Sequence, residues 1–312
     1  MYKAIIYYPE TKELLGFTYE KFKILYADFP QVEFCYINEA TDFWDALPDA
    51  DYVFTKHFSY EEYLRATNLK ALFVYSAGQE LIHPKARSKL RCYFGHFHGK
   101  LMAESLVAGM LYFNQQLPKL IQLQKDQIWS QSIGFSQRRL LVGQKVAIIG
   151  YGTIGSYCAQ LLNSFGVKTY AIQRSKSSGY CKVSGAKFVN SLDLDSLLPD
   201  LDHIVSLLPY SEDTLNYFNK AFFTKLAPHV HFYNLGRGHS VNENDLIYAL
   251  ENNLLAGAML DVVTEEPLKK SSPLWQTTNL LLTPHISAFY QNYVDFYLDE
   301  LRNQLREELN FV

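Results

Sequence analysis

Residues 145–174 constrain the fold of this chain more than any other segment, because strand, glycine-loop and helix patterns follow one another there. Residues 146–149 (VAII) form a short apolar run typical of a buried strand, and the motif GYGTIG follows at 150–155. Residues 156–165 have a helical pattern, and 167–172 form a second apolar run. This is the βαβ context in which a G-x-G-x-x-G motif indicates a dinucleotide site.

The three glycines of this motif have separate roles in such a site. Gly150 allows a tight turn, Gly152 lets the backbone approach a pyrophosphate, and Gly155 lets the helix pack closely on the strand. The start of the helix supplies N–H donors and a positive dipole end for the phosphates. The expected cofactor contacts are Gly150, Tyr151, Gly152, Thr153, Ile154 and Gly155.

The residues after the second strand indicate which nicotinamide cofactor binds. An NAD-binding unit usually has Asp or Glu about 20 residues past the glycines, where it binds the ribose 2′-hydroxyl. Residues 173–178 read QRSKSS and contain no carboxylate. Arg174 and Lys176 would pair with a 2′-phosphate, and Ser175 would donate a hydroxyl. A solvated basic loop is the alternative. The sequence therefore predicts NADPH as the preferred cofactor, with NADH possible.

The composition excludes several classes of protein. The chain has 312 residues, which is long enough for two domains. Its 48% hydrophobic content and net charge of −3 are ordinary for a soluble protein and give no basic surplus for nucleic acid. The first apolar run is broken by Pro9, which fits a strand better than a signal peptide. No run approaches the about 18 apolar residues of a membrane span. We expect neither a nucleic-acid nor a membrane partner.

The cysteines show no CxxC or other metal-ligand spacing. We expect free thiols in a reducing compartment, with the cytoplasm as the default. His96 and His98 are close in sequence, but no third ligand follows at a useful spacing. We therefore predict no metal site and interpret both histidines as residues of a crossover between domains. The four cysteines are Cys35, Cys92, Cys158 and Cys181.

Strand-like runs alternate with segments of helical length in two series. The first series is 4–8, 32–37, 52–55, 71–75 and 91–94. The second series is 146–149, 169–172, 187–189, 203–206, 231–234, 257–260 and 280–282. Residues 102–131 predict a pair of helices, and 288–309 predict one amphipathic helix. This alternation predicts α/β architecture with parallel sheets.

Three further segments place candidate catalytic side chains after strands. YNLGRG at 233–238 presents Arg237, DVVTEEP at 261–267 presents Glu266, and TPH at 283–285 presents His285. The carboxyl ends of parallel strands meet at one edge of a sheet, where open α/β folds bind ligands. Each residue alone has an ordinary structural explanation. Their joint occurrence after the glycine loop favours one active site.

With these motifs the chain resembles the D-isomer-specific 2-hydroxyacid dehydrogenases over nearly its whole length, most strongly over residues 140–288. GYGTIG, NLGRG, DVVTEEP and TPH occur in the family's order. SPLW at 272–275 and the acid-free loop at 173–178 resemble the glyoxylate/hydroxypyruvate reductase A branch. An L-lactate-type dehydrogenase does not fit, because its glycine motif lies near the N-terminus.

The resemblance implies two doubly wound parallel-sheet domains. A flavodoxin-like substrate domain would comprise residues 1–96, completed by 288–312, and a Rossmann cofactor domain would comprise 97–287. The segment 103–130 resembles the family's dimer-forming arm, which implies a homodimer.

The resemblance also implies roles for individual residues. His285 would donate the proton, because imidazole titrates near neutral pH, and Glu266 would orient it. Arg237 would bind the substrate carboxylate and polarise the carbonyl. Backbone N–H groups of Ala77 and Gly78 would also hold the carboxylate, although Gln79-Glu80 follows where the family often has V-D. Further implied cofactor contacts are Leu208, Pro209, Thr214 and Asp261.

The predicted function is NADPH-dependent reduction of a small 2-oxo acid, such as glyoxylate or hydroxypyruvate, to a D-2-hydroxy acid. Two alternatives stay open. The same fold could act on phosphohydroxypyruvate, 3-phosphoglycerate, a bulkier 2-oxo acid or formate. It could also be a nucleotide-sensing binding protein with little turnover, although the complete set of Arg237, Glu266 and His285 argues for chemistry.

Overall fold

The chain forms two compact units, each built on one parallel β-sheet. A computed structural model describes residues 1–9, 15–174 and 179–310. One unit comprises Met1–His98 and Phe289–Val312, and the other comprises Gly99–Ala288. The expected fold class, two parallel-sheet α/β domains, is confirmed.

The described elements are numbered in chain order. The strands are β1 (Tyr2–Tyr7), β2 (Val32–Ile37), β3 (Tyr52–Thr55), β4 (Ala71–Val74), β5 (Arg91–Phe94), β6 (Lys145–Ile149), β7 (Lys168–Gln173), β8 (Lys187–Asn190), β9 (His203–Ser206), β10 (His231–Asn234), β11 (Gly257–Leu260) and β12 (Leu280–Leu282). The α-helices are α1 (Tyr19–Asp28), α2 (Ala40–Ala46), α3 (Tyr60–Arg65), α4 (Pro84–Lys89), α5 (His98–Asn114), α6 (Leu117–Lys125), α7 (Ser132–Ser136), α8 (Thr153–Ser164), α9 (Leu194–Leu197), α10 (Lys220–Phe223), α11 (Glu243–Glu251) and α12 (Tyr293–Asn310).

The first unit has a five-stranded sheet with the order β2-β1-β3-β4-β5. This is the flavodoxin-like order of doubly wound folds. Every residue of β3 and β4 is buried, as expected for strands covered on both faces. Aromatic contacts tie helices to the sheet. One example is Tyr7 of β1, whose ring stacks on Phe43 of α2 with centroids 4.1 Å apart.

The second unit has a seven-stranded sheet with the order β12-β11-β10-β9-β6-β7-β8. The order reverses beside β6, the point at which Rossmann-type sheets bind ligands outside the carboxyl ends of their strands. The register aligns these ends. Ile149 of β6 pairs with Ser206 of β9, Ser206 with Asn234 of β10, Asn234 with Leu260 of β11, and Leu260 with Leu282 of β12. Loops that follow these strands therefore leave from one edge.

The expected helix over 288–309 begins later than its apolar pattern indicates. α12 starts at Tyr293. The backbone N–H groups of Ile286 and Ser287 donate to the Asp261 side chain at 3.0 Å, which holds this part of the chain in a turn. Apolar periodicity does not reveal such a side-chain bond. The expected start at residue 288 is therefore wrong.

The expected helix pair over 102–131 is present with different bounds, as α5 and α6. The break falls at Gln116, which has a left-handed backbone with φ of 56°. Pro118 lies in the first turn of α6, where a missing N–H costs nothing, whereas inside a continuous helix it would break the bonding. α6 ends at Lys125, and Gln127 again has a positive φ of 56°.

Membrane spans, disulfides and metal clusters are absent from the described part of the chain. None of its helices is long and apolar enough to cross a membrane. Its four cysteines are free thiols. Within residues 1–9, 15–174 and 179–310, no three His, Cys, Asp or Glu side chains are grouped so as to hold a metal ion.

Candidate active site

The glycine loop between β6 and α8 has the shape that a dinucleotide site needs. Gly150 has a φ of 92°, which disfavours any side chain, and a Cβ built on it would lie 2.6 Å from the carbonyl carbon of Leu207. A Cβ on Gly155 would lie 3.3 Å from the Ile148 side chain, so α8 packs closely on β6. Both positions agree with the roles expected for these glycines.

Gly152 and the start of α8 provide open backbone for an anion. No described atom lies within 4 Å of a Cβ built on Gly152, and no described side chain caps α8. The first N–H groups of a helix have no partner within the helix, so those of Thr153 and Ile154 can bind phosphate. The residues present therefore fit a dinucleotide. The Tyr151 hydroxyl bonds to Ser184, and burial raises the pKa of Tyr151.

Arg174 lies one residue beyond β7, with its guanidinium in solvent. Its Nη1 lies 3.2 Å from Oδ2 of Asp213, and the two side chains are 83% and 76% exposed. Such a surface ion pair contributes little free energy, so an incoming phosphate can compete with Asp213 for Arg174. The other two residues expected to bind the 2′-phosphate, Ser175 and Lys176, lie outside the described residues.

Thr214 fixes the loop that follows β9. Its Oγ1 donates to the carbonyl of Pro209 at 2.9 Å, and the backbone N–H of Ser211 donates to it at 3.1 Å. His239 Nε2 lies 3.0 Å from the same hydroxyl and links this loop to the one after β10. Thr214 is buried, so its side chain shapes the loop that begins at Leu208. Sequence reasoning did not single out His239.

Asn234, the last residue of β10, positions the backbone of Arg237. Its buried side-chain amide donates to the carbonyl of Arg237 at 3.1 Å, and its Oδ1 accepts from the N–H of Gly236 at 3.2 Å. Ser240 Oγ donates to the same Arg237 carbonyl at 2.8 Å. The sequence motif NLGRG contains Asn234, but neither its role nor that of Ser240 follows from the motif alone.

The glycines beside Arg237 let its loop lie against two neighbouring loops. A Cβ built on Gly236 would lie 2.7 Å from the carbonyl oxygen of Leu208, which follows β9. A Cβ built on Gly238 would lie 1.9 Å from the carbonyl oxygen of Val263, which follows β11. The half-buried Arg237 is therefore held between the ends of three adjacent strands.

Glu266 and His285 form a direct pair after β11 and β12. Glu266 Oε2 lies 2.7 Å from His285 Nδ1, and Glu266 Oε1 accepts from the N–H of Val263 at 3.2 Å. Both side chains are partly exposed, at 37% and 51%. Because Nδ1 faces the carboxylate, Nε2 is the ring nitrogen that can exchange a proton with a substrate. This is the arrangement of an oriented general acid.

Asp261 holds the segment that carries His285. Its buried carboxylate accepts from Thr283 Oγ1 at 2.6 Å and from the N–H groups of Ile286 and Ser287 at 3.0 Å. The N–H of His285 donates to the Asp261 carbonyl at 2.7 Å. These bonds hold His285 at a φ of 55°, a conformation that residues other than glycine rarely adopt. The expected cofactor contact of Asp261 stays a prediction.

Ala77 and Gly78 belong to the other unit, where they follow β4. Ser76 Oγ donates to the carbonyl of Gly78 at 3.0 Å, which gives this loop a compact turn. The loop leaves from the carboxyl edge of the five-stranded sheet. The expected contact of Ala77 and Gly78 with substrate stays a prediction.

His96 and His98 have structural partners in the same unit. His98 is buried, with Nε2 2.7 Å from the Tyr293 hydroxyl and Nδ1 3.2 Å from the carbonyl of Gly95. The backbone N–H of His96 donates to Glu300 Oε1 at 2.7 Å. These contacts tie the start of α5 to α12.

Comparisons with known proteins agree on one family. The sequence model of the D-isomer specific 2-hydroxyacid dehydrogenase NAD-binding domain matches residues 107–287. Glyoxylate/hydroxypyruvate reductase A of Citrobacter koseri is 31% identical over 250 residues, 77% of each chain. The protein of the same name from Salmonella typhimurium is 30% identical over 236 residues, 73% of each chain.

Solved structures give the same result for the fold. The NADPH-dependent glyoxylate/hydroxypyruvate reductase of Sinorhizobium meliloti, in complex with NADP and sulfate, matches with a TM-score of 0.80 and 26% identity. The match covers 99% of this chain and 96% of that one. The prediction of an NAD(P)-dependent oxidoreductase is therefore confirmed. The chain is an enzyme of the D-isomer specific 2-hydroxyacid dehydrogenase family, on its glyoxylate/hydroxypyruvate reductase A branch.

Proposed function

We propose that this enzyme reduces small 2-oxo acids of the glyoxylate and hydroxypyruvate type to D-2-hydroxy acids, with NADPH as the preferred cofactor. The observation that carries the proposal is the 2.7 Å pair of Glu266 and His285, on the same sheet edge as Arg237 and the glycine loop. The names of the relatives from Citrobacter koseri and Sinorhizobium meliloti support the substrate class.

His285 is the proton donor in this proposal. When bound, the nicotinamide supplies a hydride to the carbonyl carbon. His285 Nε2 delivers a proton to the carbonyl oxygen, because the ring is held at Nδ1 and leaves Nε2 to act as the general acid. Glu266 accepts from Nδ1, orients the ring and stabilises its protonated form. In the oxidative direction His285 acts as the base.

Arg237 binds and activates the substrate. Its planar guanidinium can bind a carboxylate through two parallel hydrogen bonds. Its positive charge stabilises the negative charge that develops on the carbonyl oxygen. The bonds of Asn234 and Ser240 to the Arg237 carbonyl fix the loop before substrate arrives. Such preorganisation avoids the entropic cost of ordering the loop during the reaction. The backbone of Ala77 and Gly78 is proposed to add carboxylate contacts.

The preference for NADPH rests on Arg174. Residues 173–178 contain no carboxylate that would bind a ribose 2′-hydroxyl, and Arg174 carries its charge into solvent at the end of β7. The Sinorhizobium meliloti relative was crystallised with NADP, which supports the same preference here. Lys176 and Ser175 are proposed to assist Arg174. Leu208, Pro209, Thr214 and Asp261 are proposed to line the remainder of the cofactor.

The alternative functions would need different side chains in the site. Phosphohydroxypyruvate, as substrate, would need further cationic side chains beside Arg237. A nucleotide-sensing protein without turnover would need no oriented proton donor. The intact pair of Glu266 and His285 therefore favours an enzyme with turnover over a sensor.

We also propose a homodimer formed through the arm at 103–130, in the cytoplasm. Several large apolar side chains in and after this arm are exposed: Leu117, Ile121, Ile128, Trp129 and Leu140. Trp129 is 93% exposed, which is unusual because exposing such a large apolar side chain to water costs free energy. Four free thiols fit a reducing compartment. A monomeric mass in sedimentation velocity would contradict the dimer.

The proposal is tested by initial rates at 340 nm with NADPH and NADH. The substrate panel is glyoxylate, hydroxypyruvate, pyruvate, a branched 2-oxo acid and phosphohydroxypyruvate. We expect the highest kcat/KM for glyoxylate or hydroxypyruvate with NADPH. A higher value for phosphohydroxypyruvate would change the substrate class. Tight NADPH binding without turnover of any panel member would favour the sensing protein.

A further inference from the structure

Asp213 reaches Arg174 from a different loop of the seven-stranded sheet. Its Oδ2 lies 3.2 Å from Arg174 Nη1. Arg174 follows β7, whereas Asp213 lies on the loop after β9, and these two strands flank β6 in the sheet. The ion pair therefore joins loops that leave the sheet on either side of β6, the strand that leads into the glycine loop.

The loop after β9 holds the backbone of Asp213 without help from Arg174. Residues Glu212–Thr214 form one turn of 3₁₀-helix. The backbone N–H of Ser211 donates to Thr214 Oγ1 at 3.1 Å, and the N–H of Thr214 donates to the Ser211 carbonyl at 3.0 Å. Thr214 is buried, whereas the Asp213 side chain is exposed. The fold therefore presents the Asp213 carboxylate to solvent, beside Arg174, from a backbone that is fixed by other bonds.

A carboxylate beside Arg174 has opposite effects on the two nicotinamide cofactors. The 2′-phosphate of NADPH is negatively charged, so Asp213 repels it and competes with it for the guanidinium. The ribose 2′-hydroxyl of NADH is uncharged and can donate a hydrogen bond, which a carboxylate accepts. Residues 173–178 contain no acid for this contact, and Asp213 brings one to the same place from another loop.

We propose that Asp213 is a second determinant of cofactor choice, which accepts a hydrogen bond from the ribose 2′-hydroxyl of NADH and weakens the preference for NADPH. When NADPH binds, Arg174 exchanges its bond to Asp213 for bonds to the 2′-phosphate. The pair lets one site hold either cofactor, with a smaller preference than Arg174 alone would give. This inference rests on the proposed function, in which the adenosine ribose lies beside Arg174.

The experiment measures the dissociation constants of NADPH and NADH for the whole enzyme by calorimetry, without any 2-oxo acid. Asp213→Asn keeps the size of the exposed side chain and removes its charge. We expect NADPH to bind about twofold to fivefold more tightly, because the competing surface ion pair is lost. NADH should bind about fivefold more weakly, because a neutral amide accepts a weaker hydrogen bond than a carboxylate does. The ratio of the Kd of NADH to the Kd of NADPH should therefore rise about tenfold or more.

Glu212→Gln is the matched control. Glu212 precedes Asp213 in the same turn and is also exposed. Its substitution removes the same charge from the loop but leaves the pair of Asp213 and Arg174 in place. We expect the ratio of the two constants to stay within about twofold of that of the unchanged enzyme, because exposed charges are screened by solvent and salt.

A ratio that rises in Asp213→Asn and not in Glu212→Gln supports the inference. Equal changes of both constants in Asp213→Asn overturn it, as does the same ratio in the two variants or a Kd for NADH that does not rise.

Arg174→Gln distinguishes a failure of this inference from a failure of the proposed function. If Arg174→Gln leaves the Kd of NADPH unchanged, the adenosine ribose does not lie beside Arg174, and the proposed cofactor preference is wrong together with the inference. If Arg174→Gln weakens NADPH binding and Asp213→Asn leaves the ratio unchanged, only the role of Asp213 is wrong.

Discussion

Glu266 Oε2 lies 2.7 Å from His285 Nδ1, although the two residues follow different strands of the seven-stranded sheet. The backbone of His285 has a φ of 55°, and the buried carboxylate of Asp261 bonds to residues on both sides of it. Left-handed residues other than glycine cost on the order of 1 kcal/mol and persist when their surroundings fix them. The Glu266 carboxylate thus holds the imidazole ring, and the Asp261 carboxylate holds the backbone segment on both sides of His285.

The first prediction concerns the charge of Glu266. Glu266→Gln keeps a hydrogen-bonding group of the same size but removes the charge that stabilises the imidazolium. We expect kcat for 2-oxo acid reduction to fall about a hundredfold, within the usual range for general acid catalysis. Steady-state kinetics with NADPH measures this.

Glu265→Gln is the matched control for Glu266→Gln. Glu265 precedes Glu266, is exposed and pairs with Lys269 on the surface at 2.8 Å. We expect its kcat to stay within about twofold of the unchanged enzyme, because exposed ion pairs contribute little. Equal kcat values for the two variants would show that Glu266 does not support His285.

Asn234→Ala should show whether Asn234 positions Arg237 or only stabilises the fold. The substitution leaves the N–H of Gly236 without its side-chain acceptor and removes one donor to the Arg237 carbonyl. Loss of a buried partner costs about 1–3 kcal/mol of folding free energy. We expect KM for the 2-oxo acid to rise because the loop no longer fixes Arg237, while KM for NADPH changes little.

The control for this variant is Asn252→Ala, an exposed asparagine whose amide caps the end of α11 through the Tyr248 carbonyl. Its kinetics should match those of the unchanged enzyme. If Asn234→Ala loses stability but keeps its KM for the 2-oxo acid, the residue supports only the fold.

Arg174→Gln tests cofactor choice. Removing the guanidinium takes away a charge-assisted partner of the 2′-phosphate, which NADH lacks. We expect kcat/KM for NADPH to fall about tenfold and that for NADH to stay the same. A similar loss with both cofactors would mean that Arg174 does not recognise the 2′-phosphate.

Three of the four cysteines should differ in reactivity. Hydrogen bonds from Ser184 and Tyr151 lower the pKa of Cys181 to about 6, whereas burial raises the pKa of Cys92 to about 11 and that of Cys158 to about 12. Only the thiolate is alkylated at an appreciable rate. Alkylation of Cys181 should therefore increase as the pH rises through about 6, while Cys92 and Cys158 stay unmodified at pH 7.

Iodoacetamide labelling followed by peptide mass spectrometry measures this order. Ser184→Ala should shift the pH midpoint at Cys181 upward, because it removes the first of the two donors. A midpoint near that of an ordinary cysteine in the unchanged enzyme would contradict the assignment.

The strands of this enzyme can be predicted from the sequence, because parallel strands are buried on both faces and appear as short apolar runs. The predicted runs at 203–206, 231–234, 257–260 and 280–282 have the same bounds as β9, β10, β11 and β12. The glycine loop can also be predicted, because the strand and helix that flank it in the sequence are its neighbours in the βαβ unit.

Helix ends and the residues that hold the active-site loops are harder to predict from the sequence, because they depend on contacts between distant parts of the chain. The start of α12 at Tyr293 follows bonds between Asp261 and the turn at Ile286. The link from His239 to Thr214 joins two loops that are far apart in sequence. The motifs predict which side chains react, and only the three-dimensional structure shows what holds those side chains in place.

The most direct test of the central claim is the single-turnover rate of NADPH oxidation by glyoxylate in the unchanged enzyme and in His285→Gln. The variant keeps a polar side chain but has no group that can donate a proton near neutral pH. We predict rapid turnover by the unchanged enzyme and a loss of about 10²- to 10⁴-fold in the variant, with NADPH affinity retained. A variant that turns over glyoxylate within about twofold of the unchanged enzyme would contradict the assignment of His285 as proton donor.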